Sequence, residues 1–245
     1  MKNIHSCTLI IAFLIIASTG FVSCNSDNET TNSKNVKSIS ARYLTPLPGN
    51  DANPYDEVGW LYNELFDKYY NDGNLGGSVS QIASKVQAVA DSSDSFNAIK
   101  GELYHDVSST RVVYLIENQT SCVKNVISAT NMSTAGKSSL TDFINFFVVF
   151  LKTESDCNVI YQKVVDYEKE VLFNTLLTDT DKRIIFTTTS ISRHLAYRIN
   201  KKPKKNTDPD WTVLIGNFIA STEGAGNGPG EAVTFSLVTG IAQNQ

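Results

Sequence analysis

Pro54-Tyr55-Asp56-Glu57-Val58-Gly59-Trp60-Leu61-Tyr62-Asn63-Glu64-Leu65-Phe66-Asp67-Lys68-Tyr69-Tyr70 decides the fold class of this chain. Val58, Leu61, Leu65 and Tyr69 recur at three- and four-residue steps, and Trp60 and Phe66 widen the stripe. That is the period of an amphipathic helix, not of a strand. Asn53 stands as an N-cap, Pro54 suits a first turn, and Gly73, Gly76 and Gly77 end the run. Five aromatic residues, Trp60, Tyr62, Phe66, Tyr69 and Tyr70, fall in this helix. A sugar or an apolar ligand could stack on such a set, but the spacing reads as core.

Outward from it the same period repeats. Val79, Ile82, Val86 and Val89 follow Ser78 as a candidate cap, and Phe96, Ile99 and Leu103 come after a Ser/Asp break. Val112, Leu115 and Ile116 precede Val123, Val126 and Ile127, where β-branched residues weaken the helical signal. Residues 140–151 are almost wholly apolar, but Asp142 and Asn145 interrupt them and they are too short for a membrane span. They read as a buried central helix. Tyr161, Val164, Val165, Val171, Leu172 and Leu176 continue the helical spacing. Beyond Thr178 or Asp179 as a cap, Ile184, Thr188, Ile191, Leu195 and Ile199 share one face. Pro209 and Trp211 open a helix through Phe218 and Ile219. Gly224, Gly226, Gly228 and Gly230 read as a loop, and a last helix runs through Val233, Leu237 and Ile241. The expectation is an all-α, single-domain bundle of seven or eight helices. No strand-like alternation and no repeat period is visible.

Of the 245 residues 41% are apolar and 19% charged, with a net charge of -4. This excludes collagen, a disulfide-dense mini-protein and a disordered acidic tail. An acidic balance also argues against a nucleic-acid partner.

The N-terminus carries an address. Lys2 is followed by the apolar run Leu9–Ala17, then Ser18, Thr19 and Gly20, the order of a secretory signal peptide. Phe21-Val22-Ser23-Cys24 follows. This resembles the lipobox of bacterial lipoproteins, with Phe21 in place of the usual aliphatic residue. The resemblance implies that residues 1–23 are removed and that Cys24 is acylated. It implies an outer-membrane lipoprotein of the cell envelope, with the membrane as partner through the N-terminal lipid. The chain is similar to small envelope lipoproteins of the Bacteroidota, in which acidic residues after the cysteine direct export to the cell surface. Asp27 and Glu29 are a diluted version of that signal, so either face of the membrane stays open. Residues 24–50 comprise Cys24 and a polar tether, and 51–245 the helical domain.

Chemistry is sparse. His105 and His194 are the histidines left after the signal, and neither has a metal-ligand spacing, so no metal or cofactor is expected. Cys122 and Cys157 could pair in an oxidising envelope or remain thiols. Ser190 and His194 are four apart and could touch in a helix, but no Gly-x-Ser-x-Gly elbow accompanies them. His105-Asp106 reads as a surface pair. Glu223 to Glu231 lacks the residues of a phosphate loop. Arg193, Arg198, Lys201, Lys202, Lys204 and Lys205 form the basic cluster, a candidate contact for lipid headgroups or an acidic partner. The expected function is therefore a non-enzymatic, lipid-anchored module for a small ligand or a protein. The alternatives are an envelope structural or immunity-type protein, and a hydrolase using Ser190 and His194.

Overall fold

A computed structural model describes residues 48–73, 77–201 and 210–244. The segment expected to be a signal peptide, Cys24, the expected tether up to residue 47, Lys202, Lys204 and Lys205 lie outside the described residues, as does the side chain of Lys201. Among the described residues the fold is all-α, with ten helices: α1 (Asp56–Asn71), α2 (Val79–Asp91), α3 (Asp94–Ile99), α4 (Ser109–Glu117), α5 (Gln119–Ala129), α6 (Thr134–Thr153), α7 (Cys157–Phe173), α8 (Asp179–Lys201), α9 (Asp210–Asn227) and α10 (Pro229–Gln243). None of them is long and apolar enough to cross a membrane.

The count exceeds the expected seven or eight because short polar breaks end helices that apolar spacing alone would join. Ser93 and Ser108 each accept a backbone N–H bond as N-cap, of α3 and α4. α4 and α5 part at Asn118. Leu103, placed by spacing on a helix, lies beyond the end of α3 and is 79% exposed. Gly101, at φ +76°, turns the chain away there. The cap at Ser78 is present as a full capping box with Gln81.

α8, α9 and α10 form the centre. α1 and α7 pack on α8, α2 and α4 on α10, and α5 and α6 on α9. Position in this arrangement explains burial that amphipathic spacing does not show. Every residue from Ile184 to Ala196 is buried, and so is every residue of α10 from Gly230 to Ile241. A helix covered all round needs no apolar stripe. Several of the hydroxyls on these helices turn back on their own helix's carbonyls: Ser192 donates to Thr188 O, Thr222 to Phe218 O and Thr234 to Gly230 O.

Two expectations change here. The glycine-rich segment 224–230 is helical, with Gly228 alone between α9 and α10. Close packing is the reason, since a Cβ on Gly224 would stand 2.5 Å from Ala232 N. Arg183 Nη1 closes the α9 end by donating to Ala225 O at 2.7 Å. α6 is not a central helix but an outer one. Leu140, Phe143, Ile144 and Phe147 are buried, with Phe143 stacked on Tyr167 at 4.0 Å. Phe146 and Val149 point outward, 43% and 61% exposed.

Asp181 joins two helix starts. It accepts from Ser133 N and Oγ at the head of α6, and from Thr178 N at the head of α8. Thr178 Oγ1 accepts Asp181 N in return, the cap expected from sequence.

Candidate functional site

The residues singled out in sequence gather at two places with different chemistry. The first is a buried ionic knot where the chain enters the domain. Arg193, on α8, is fully buried. Its Nε donates to Glu168 on α7 at 3.1 Å, Nη2 to Asp56 Oδ1, and Nη1 to the carbonyl of Pro48. Glu168 is itself 1% exposed and also accepts from Asn50 Nδ2 at 2.6 Å, Asn53 Nδ2 at 2.7 Å and Thr189 Oγ1 at 2.7 Å. Burial works against the guanidinium charge, but the Glu168 and Asp56 carboxylates override it and hold the arginine more strongly protonated than usual.

Three assignments are corrected by this knot. Residues 48–50, expected in the tether, belong to the domain, because Arg193, Glu168 and Tyr161 (Oη to Gly49 O, 2.7 Å) hold them. Asn53 does not cap α1. Its carboxamide turns inward to Glu168 and Phe186 O, while its Oδ1 accepts from Tyr55 N, so that Asp56 begins the helix. Arg193 is no surface cation, and Arg198 is largely withdrawn too. Arg198 donates to Asn63 Oδ1 at 2.6 Å, pairs with Asp67 and lies over the Phe66 ring. The Arg193 charge is already neutralised inside a buried ion pair, whereas Arg198 is paired with the exposed Asp67 near the surface.

Ser190 and His194 sit beside the knot, each committed elsewhere. Ser190 Oγ donates to Asp56 O and accepts from Gly59 N, both at 3.0 Å. His194 Nδ1 bonds Asn63 Nδ2 at 2.6 Å, and its ring meets the Trp60 edge. Gly59 makes this close approach of α1 to α8 possible, since its missing Cβ would fall within 2.6 Å of Ser190 Oγ. Among the described residues His194 Nε2 has no hydrogen-bond partner, and it is buried. Burial, then the charges of Arg193 and Arg198, holds the ring neutral, well below its ordinary range. A nucleophile and its base must share a proton. Here the serine proton goes to a backbone carbonyl instead.

The second place is a surface cleft where α4, α9 and α10 meet. Two depressions, of about 150 and 350 Å³, share Arg111, Glu223 and Asn227. Arg111 holds Glu223 in a two-pronged pair, Nε to Oε1 and Nη2 to Oε2, each at 2.8 Å. Glu231 accepts from His105 N and meets His105 Nδ1, both at 2.9 Å, and takes Asn227 Nδ2 on its other oxygen at 2.6 Å. His105 therefore pairs with Glu231 and not with Asp106. The cleft is not legible in the sequence, where Glu223 and Glu231 bound a glycine-rich run and Arg111 stands 112 positions from Glu223. The tight α9–α10 turn brings the two glutamates to one surface.

Cys122 and Cys157 are free thiols. Cys122 is buried on α5 and Cys157 half-buried at the start of α7. Among the described residues no group of three or more His, Cys, Asp or Glu side chains could hold a metal ion. The early aromatic run is mostly core: Tyr62 and Tyr69 are buried, and Phe66 and Tyr70 pack against them.

No family model matches this chain, and neither the curated proteins nor the solved structures contain a match.

Proposed function

We propose that this protein is a lipid-anchored binding module of the bacterial cell envelope, held in the membrane by acyl chains on Cys24, and that its ligand sits in the α4/α9/α10 cleft. The cleft carries the reading. Two adjoining depressions combine apolar lining (Val107, Phe235, Val126 and Ala129) with Arg111, Glu223 and Glu231, polar side chains that neighbours already orient, the arrangement expected of a small-molecule site. Among the described residues Arg111 Nη1 and the Asp106 carboxylate have no hydrogen-bond partner, so both are open to a polar ligand. The fork with Glu223 fixes the guanidinium plane before a ligand arrives.

Two measurements test the reading. Fatty-acid labelling and protease shaving of intact cells should show label in the wild type and none in Cys24→Ala, and absence of label removes the anchor. A panel of amino acids, amines and monosaccharides, screened by thermal shift, should contain a compound that stabilises the wild type and not Arg111→Ala. A compound that stabilises both equally binds elsewhere.

A second reading, an envelope protein that works through a protein interface, draws on the apolar outer side of α6. Ser190 and His194, the residues a hydrolase reading would use, are engaged in the α1–α8 contact.

A further inference from the structure

Internal pairing leaves the α4/α9/α10 cleft with two open charged edges of opposite sign. Glu223 has both oxygens on Arg111, through Nε and Nη2 at 2.8 Å. Glu231 has one oxygen on His105 N and Nδ1 at 2.9 Å and the other on Asn227 Nδ2 at 2.6 Å. Both glutamates are thus held by neighbours. What stays open, among the described residues, is the Nη1 edge of Arg111 and the carboxylate of Asp106, and both line the smaller depression.

The guanidinium edge is fixed in place. Glu223 grips it on one side, and the Tyr114 ring lies 4.7 Å from its central carbon. Ser108, the N-cap of α4, lines the depression as well, so the positive end of that helix borders it. Val107 and Phe235 add apolar wall. The depression measures about 150 Å³. At about 30 Å³ of liquid per water that is room for about five waters, the bulk of a molecule of about five to eight heavy atoms.

We infer that this depression takes a small free α-amino acid in its zwitterionic form, with the ammonium on Asp106 and the carboxylate on the Nη1 edge of Arg111. The inference rests on the cleft being the ligand site, as proposed above. An α-amino acid carries both charges on one carbon, so both enter a depression this small, and a short side chain meets Val107 and Phe235. A simple amine leaves Arg111 Nη1 without an acceptor. A simple carboxylic acid leaves Asp106 without a cation. A sugar covers both charges with neutral hydroxyls. Each of these displaces water from a charged edge and supplies no ionic partner for it.

Calorimetric titration of the full chain in mild detergent tests this, with glycine, L-alanine, L-serine and L-valine as probes. At least one of the four should bind. The N-acetyl derivative of the best binder lacks the ammonium, and the carboxamide derivative lacks the carboxylate. Each should bind at least about tenfold more weakly, the loss expected from one hydrogen bond to a charged group. Asp106→Asn should weaken the parent amino acid by a similar factor and leave the N-acetyl derivative unaffected. Its melting temperature should match the wild type, because the Asp106 side chain is exposed. No binding by any of the four, a derivative that binds as tightly as its parent, or an affinity unchanged in Asp106→Asn each overturns the inference. An amine or monosaccharide that stabilises the wild type and not Arg111→Ala would overturn it while leaving the cleft as the ligand site. The cleft reading itself fails only if no compound of the thermal-shift panel makes that distinction, so the two failures are told apart.

Discussion

Arg193→Met takes the cation out of the buried knot and leaves its volume nearly filled. Glu168, 1% exposed, and Asp56 then face each other without the guanidinium, and the Pro48 carbonyl loses its donor. Three hydrogen bonds to a charged group go at once. Counted singly, at about 1.5–3 kcal/mol each, they would sum to about 4.5–9 kcal/mol, comparable with the whole stability of a typical domain. Measured breaks of one partner of a buried pair run to about 3–5 kcal/mol, because the orphaned charge relaxes or takes up a proton. Glu168 keeps Asn50, Asn53 and Thr189 as donors, so the lower half of that range is expected. With a denaturant slope near 2 kcal/mol/M, the urea midpoint should fall by about 1.5–2 M. Glu168→Gln in the same chain removes the orphaned charge and should restore part of the loss, an interaction that a double-mutant cycle measures directly. The same variant should become sensitive to proteolysis at residues 48–53, ahead of global unfolding, since Arg193 holds that segment in place. A midpoint shift below about 0.5 M, or an additive double variant, would refute the claim that this knot closes the entry to the domain.

Other outcomes follow from the same geometry. His194 is held neutral in the fold, and its unfolded value is near 6.5, so the unfolded chain binds the extra proton. Stability due to this site is full above that value and is lost as pH falls through it. Between pH 7.5 and 5.5 the wild type should lose about 1.4 kcal/mol that His194→Gln does not lose, read from urea midpoints. Asp181 is the opposite kind of group. Burial opposes its charge, but hydrogen bonds from Ser133 and Thr178 prevail and hold its carboxyl below the usual range. Its contribution is lost only in more acid solution, as pH falls below the ordinary aspartate value. Asp181→Ala removes the shared cap of α6 and α8 and should cost about 2 kcal/mol at neutral pH by thermal or urea unfolding. Ellman titration of the reduced Cys24→Ala domain should find Cys157 first and Cys122 only on unfolding. A domain isolated without reductant that shows no thiols would mean the two are bridged.

Helix identity was legible in the chain wherever apolar residues kept a period of three to four. The stripe at Val58, Leu61, Leu65 and Tyr69 and the caps at Ser78 and Thr178 are local features, set by neighbours within one turn. Ser93, Ser108 and Asn118 were legible in kind but not in effect, because a short polar break ends a helix only when packing does not continue it. The Lys2 to Cys24 pattern is likewise a linear signal, and the proposed lipid anchor is read from it alone.

Tertiary structure alone decided the rest. Thr187, Thr189 and Ser190 fall off the Ile184, Thr188, Ile191 face in sequence, and they are buried because α1, α7, α9 and α10 surround α8. Arg193 looks like one cation in a basic run, and it lies inside because Glu168 and Asp56, 25 and 137 positions away, converge on it. Gly224 looks like a loop residue, and it is helical because only hydrogen in place of a Cβ lets α10 pack so close. Arg111, Glu223 and Glu231 form a cleft only once that turn is made. Local sequence determines which segments are helices, since a helix satisfies its backbone within itself. Which faces are covered, and which charges meet, depends on contacts between residues far apart in the chain, and these exist only in the packed molecule.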